Sequence, residues 1–175
     1  MATMAIPAQG CATLCVAGKK PFLRWLQGLF RHRLAPHAQR VAELTGRGFV
    51  REIEKIDRGF DTADLPEDLI RSSVVAGAAV LEARSGLRSC PVLSRMAAAV
   101  ESGTMPGHHV SVFAAQAAVL HLPVQGILVG LAFDEWRRAN QPASAVAEFR
   151  GFFPDVTDVA ASVFAGSGDR RFRIA

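Results

Sequence analysis

No Asp, Glu, Lys or Arg occurs between Glu101 and Asp134, and so long an uncharged stretch has two physical solutions: it crosses a bilayer, or it forms the inside of a packed body. His108, His109, Gln116, His121 and Gln125 are scattered through it, and Pro123 divides it into two segments too short to span singly. A buried helical pair explains it better than a small membrane hairpin over residues 108–133. After Met105-Pro106-Gly107, residues His108 to Leu120 are apolar at nearly every angle around a helix, which predicts a helix enclosed by others at the centre of the domain. Leu122-Pro123 then starts a second helix through Ile127, Leu128 and Leu131 to the polar end Asp134-Glu135-Trp136-Arg137-Arg138, closed by Asn140 and Pro142. Gly126 and Gly130 leave one side of that helix thin.

The same period of 3.6 organises the rest of the chain. Pro21 suits a first helical position, and Phe22, Trp25, Leu26 and Leu29 follow on one face. Pro36 is expected to break this first helix after Leu34, and a second stretch through Val41 and Leu44 should stop near Gly46 or Gly48 before Phe49, Ile53 and Ile56 resume the period. Asp64-Leu65-Pro66-Glu67 is a helix start signal, and the helix it opens carries Ser73, Ala76 and Gly77 on its buried side, so another backbone can approach closely there. Gly86 ends it; Pro91 opens the next, with Leu93, Met96, Ala97 and Val100 leading to a stop at Gly103. Beyond Pro142 only Val156, Val159, Ala160 and Val163 keep helical spacing. The expectation is an all-α fold, a single-domain bundle of six to eight helices over residues 21–165 around a central apolar helix, with a flexible tail at 1–20 and a disordered one at 166–175.

With 175 residues the chain can bury a core of its own, and half of its residues are apolar, chiefly Ala, Val and Leu, with no Tyr. The charge is uneven. Lys19 to Arg58 holds ten of the twenty basic residues against Glu43, Glu52, Glu54 and Asp57, a local balance of +6 in a chain whose net is +4. A basic third of this kind meets nucleic acid, an anionic membrane or an acidic protein face, and spaced rather than clustered charges also describe an ordinary solvated helix surface. Cys11, Cys15 and Cys90 give an odd count without CxxC spacing, which disfavours a disulfide framework or structural zinc and fits a reducing cytoplasm. The first twenty residues lack the charged start and continuous apolar core of a secretory signal.

No phosphate-binding loop, dinucleotide fingerprint or nucleophile elbow is present, so the reading is a protein that is not an enzyme and needs no cofactor. Adjacent helix positions such as His108 and His109 diverge by about 100° and grip one ion poorly, and His121 lies about 20 Å further along a continuous helix; core hydrogen bonding is the expected role, and no metal site is assigned. Arg47, Arg51, Lys55, His108 and His109 are the candidate partner-binding residues. A basic nucleic-acid-binding module is the rival, but it lacks a helix with a base-reading polar pattern.

The middle of the chain resembles the F-type urease accessory proteins. The residues that carry the resemblance are Ile56-Asp57, the Leu65-Pro66-Glu67 helix start, Ser72 or Ser73, Gly77 before Val80-Leu81, Gly107-His108-His109, the Ala-rich run from Ala114 to Val119 and the Leu122-Pro123 helix start, in the family's order over residues 22–137. Val110 and Ala114 stand where the family usually has Pro and Gly. The resemblance implies an all-helical cytoplasmic scaffold that assists nickel insertion into urease, with a D/H-type accessory protein, a G-type GTPase and urease itself as partners, a homodimer left open, and neither nucleic acid nor membrane bound.

Overall fold

A computed structural model describes residues 18–60, 65, 67–83, 90–140 and 142–168. The cap residues Asp64 and Pro66, the stop at Gly86, Cys11, Cys15, and the terminal stretches 1–17 and 169–175 lie outside the described residues. The chain is all-α, as its periodicity predicts, with no strand among the described residues.

The first element is a continuous rod. Its segments are α1 (Lys19–Trp25), a π-helical stretch (Leu26–Leu34) and α2 (Ala35–Gly46), joined at residues that keep right-handed helical angles. The break expected at Pro36 therefore does not occur. In an α-helix the proline ring would collide with the carbonyl four residues back, but here Ala35 N–H already bonds five residues back to Phe30 O, and the widened register relaxes that clash.

Among the described residues, six helices follow the short α3 (Val50–Arg58): α4 (Glu67–Ala83), α5 (Pro91–Glu101), α6 (His109–Val119), α7 (Val124–Ala139), α8 (Pro142–Arg150) and α9 (Phe153–Gly168). Three elements differ from the sequence expectation. Pro142 opens α8 instead of only closing α7, since a proline is as well suited to a first helical turn as to a stop. Helix α9 continues through Gly168, and α1 begins at Lys19.

Helix α6 is the centre. Val110, Ser111, Val112, Ala114, Ala115, Gln116 and Ala117 are all buried, and the helix packs against α2, α4 and α7. Its side chains are small, so these neighbours sit close: Ser73, Ala76 and Gly77 of α4 are buried, as the sequence pattern requires, and Gly130 of α7 faces the Phe113 ring. An aromatic part of the same core fastens the rod to the end of the bundle. Phe22 meets Trp136 at 5.0 Å and Phe152 at 4.9 Å between ring centroids, and Trp136 Nε1–H donates to Ala145 O at 3.0 Å. No helix among the described residues is long and apolar enough to cross a membrane.

Candidate functional site

The N-terminus of α6 is the place where buried charge collects. Helix α3 is amphipathic, and Asp57 falls four residues after Ile53 on the buried side, so its carboxylate enters the protein with no exposed surface. It meets the free amides that precede α6: Gly107 N–H donates to Oδ2 at 2.7 Å and His108 N–H to Oδ1 at 3.2 Å. A carboxylate at a helix start satisfies donors that have no partner within the helix and complements the positive end of its dipole. Gly107 makes this possible by adopting φ +76, a conformation that side chains disfavour.

Behind the carboxylate runs a short chain of hydrogen bonds. Ser111 lies against Asp57, and its Oγ is 2.7 Å from His37 Nε2. With the hydroxyl proton directed at the carboxylate, Ser111 Oγ accepts from His37 Nε2–H and leaves Nδ1 as the unprotonated nitrogen. Burial, helped by the nearby His108, pushes the His37 imidazole down to about 4. His108 is lowered by burial as well, against the pull of Asp57, so both rings are neutral at pH 7. Burial raises the Asp57 carboxyl, opposed by its bonds from Ser111, Gly107 and His108. Phe60 lies between the two imidazoles, 4.4 Å from His37 and 5.3 Å from His108 between centroids.

The next residue does the reverse. His109 is fully buried, with Nδ1 2.6 Å from Glu135 Oε1 and Nε2 2.9 Å from Asp134 Oδ2. The first contact is a hydrogen bond; the second has the separation of a charge pair without the alignment of a hydrogen bond. Burial alone would lower this imidazole, but Asp134 and Glu135 outweigh it and raise His109 above its ordinary value. Burial likewise works against the Asp134 charge. The bonds from Arg137 and Arg138, together with the close charge pair to His109, nevertheless hold that carboxyl well below the usual carboxylate range. Arg138 Nε donates to it at 2.6 Å and Arg137 at 2.8 Å.

Two adjacent histidines thus bind α6 in opposite directions, one kept neutral toward α2 and α3, the other favoured toward its protonated form by the carboxylates of α7. His109 N–H also donates to Ser73 Oγ of α4 at 3.3 Å. The arrangement fixes helices rather than performs chemistry: Ser111 is wholly buried and its hydroxyl is engaged on both sides. No group of three or more His, Cys, Asp or Glu among the described residues is placed to hold a metal ion.

Of the residues singled out from the sequence, Arg47, Arg51 and Lys55 are exposed around the start and outer face of α3, whereas His108 and His109 are interior and do not join them in one surface. Sequence reasoning missed His37, Asp57, Ser111, Asp134 and Glu135 as members of a buried network. The available signals were the i, i+4 spacing of Ile53 and Asp57 and the acidic pair at the end of an otherwise apolar helix.

Fold and site together define an all-helical packing body whose central helix is anchored by buried ion pairs. The family model named UreF matches residues 16–143, and the chain belongs to this family of urease accessory proteins, which assists nickel insertion into urease and is not a family of catalysts. No curated protein and no solved structure matches the chain.

Proposed function

We infer that the chain acts in the cytoplasm as a non-catalytic scaffold, binding a D/H-type accessory protein and a G-type GTPase so that nickel is delivered to urease without residing on the scaffold itself. The family match over residues 16–143 carries this reading. The anchoring of α6 by Asp57 and Glu135 supports it physically, because a scaffold gains affinity from surfaces that need no ordering when a partner arrives. The exposed cations Arg47, Arg51 and Lys55 supply charge that an acidic partner face would complement.

Complementation tests it. In cells lacking their F-type accessory protein but holding the other urease genes, this chain is expected to restore nickel-loaded, active urease and to co-purify with the companion accessory proteins. Urease that stays inactive, together with no co-purification of either companion, would overturn the reading.

A further inference from the structure

With about 100° per residue, Arg51, Lys55 and Arg58 fall on one narrow arc of α3, opposite the buried Ile53 and Asp57, and Arg47 sits just before them at the end of α2. All four are exposed. Among the described residues no carboxylate pairs with Arg47, Arg51 or Lys55, whereas Arg40, Arg71, Arg137 and Arg138 each have one.

Beside this stripe an open groove of about 930 Å³ separates α3 from α5, bounded by Phe49, Arg51, Glu52 and Glu54 on one side and by Arg95 and Ala98 on the other. Phe49 stands at its edge, 50% exposed. The backbone behind this ring is fixed: Gly48 takes φ +72, Phe49 N–H bonds back to Leu44 O at 3.0 Å, and Phe49 O accepts from Ile53 N–H at 3.2 Å. An aromatic side chain on a rigid turn, flanked by arginines, has the composition of an interface anchor and loses little backbone freedom on binding.

Glu52 and Glu54 decide between kinds of partner. They flank the cationic arc, so a continuous phosphate backbone would meet repulsion beside each attraction, while a protein segment can place single carboxylates opposite the arginines. We propose that the α3/α5 groove is a docking surface for a protein segment that sets an apolar side chain against Phe49 and carboxylates against Arg51 and Arg95. This rests on the scaffold reading and names the surface and the partner chemistry it uses.

The test measures binding of the full chain to purified D/H-type and G-type accessory proteins at low and high salt. Phe49→Ala and the double variant Arg51→Glu/Arg95→Glu should each weaken one of these associations by roughly tenfold or more, Phe49→Trp should retain it, and the charge reversal should also reduce its salt dependence. A photo-crosslinker at position 49 should attach to a segment that carries carboxylates around an apolar residue. Unchanged circular dichroism and melting of the variants would exclude misfolding. If a companion binds the wild type and both variants equally, the groove proposal falls while the scaffold reading stands. If neither companion binds the wild type, the scaffold reading falls and takes the groove with it. Retention of duplex DNA, of anionic vesicles or of a second copy of this chain that depends on Phe49 and Arg51, without companion binding, would overturn the proposed partner class.

Discussion

Gly77 of α4 lies directly against the Gly107 carbonyl, so closely that a Cβ on Gly77 would overlap that oxygen and stand 3.0 Å from His109 N. Both obstacles are backbone, and Gly107 is itself tied to Asp57, so neither can move without breaking the bonds at the start of α6. Gly77→Ala should therefore cost about 1–3 kcal/mol through overpacking, and Gly77→Leu more. Urea denaturation decides it; an unchanged midpoint for Gly77→Ala would show that α4 and the loop before α6 can separate freely.

This contact was legible in the sequence because small residues at Ser73, Ala76 and Gly77 share one helix face, and a face without bulk requires a close neighbour. The enclosed character of α6 was legible for a related reason: a helix without a polar side has no stable place at a surface. The buried charges were not. Asp57 finds its donors fifty residues later, at Gly107, and one carboxylate among the three acidic and three basic side chains of α3 looks the same in sequence whether it faces water or a distant amide. The π-helical stretch was hidden too, because nothing local to Pro36 distinguishes a broken helix from one whose preceding turn has widened.

The His37 ring gives the stability a pH dependence with a definite sign. Its value is about 4 in the folded chain and near 6.5 unfolded. Between these values the unfolded chain holds the extra proton, so the contribution of a neutral His37 is complete above 6.5 and is lost as pH falls toward 4. The loss amounts to at most about 3 kcal/mol. A His37→Gln variant should show a flatter stability profile than the wild type between pH 4 and about 6.5. Parallel profiles would mean that His37 titrates as a free imidazole.

His109 should act in the opposite sense. Its raised value makes its contribution complete below 6.5 and diminishing as pH rises through the folded value. Truncation to alanine leaves the buried Glu135 carboxylate without its imidazolium, at a cost of about 3–5 kcal/mol. Chemical denaturation of His109→Ala beside wild type across neutral pH should find the largest deficit on the acid side of the range. A deficit below 1 kcal/mol, constant with pH, would remove the charged pair from the account.

The turn after α6 offers a gain. His121 has φ +58 and closes the helix with its N–H on Ala118 O, while Leu122 N–H reaches Ala117 O, an ending that favours glycine at the left-handed position. His121→Gly is expected to stabilise the protein by about 1 kcal/mol, and a melting curve reads it. A lowered melting temperature would reveal a contribution from the exposed imidazole that outweighs the backbone strain.

Nickel binding by the isolated chain is the sharpest check on the division of labour in the scaffold reading. His108 and His109 are adjacent in sequence but committed to different neighbours, the first beside Asp57 and Phe60, the second between Glu135 and Asp134. A metal at His109 would displace a proton that two carboxylates stabilise, and a metal at His108 would have to reach a ring with 3% exposure. Equilibrium dialysis should thus find no stoichiometric nickel site of micromolar affinity. A site of that strength lost in His108→Ala or His109→Ala would show that the core opens to admit the ion, and that the scaffold holds the metal it helps to deliver. A site unaffected by those substitutions would direct attention to Cys11 and Cys15, which with Cys90 carry the softest ligands in the chain.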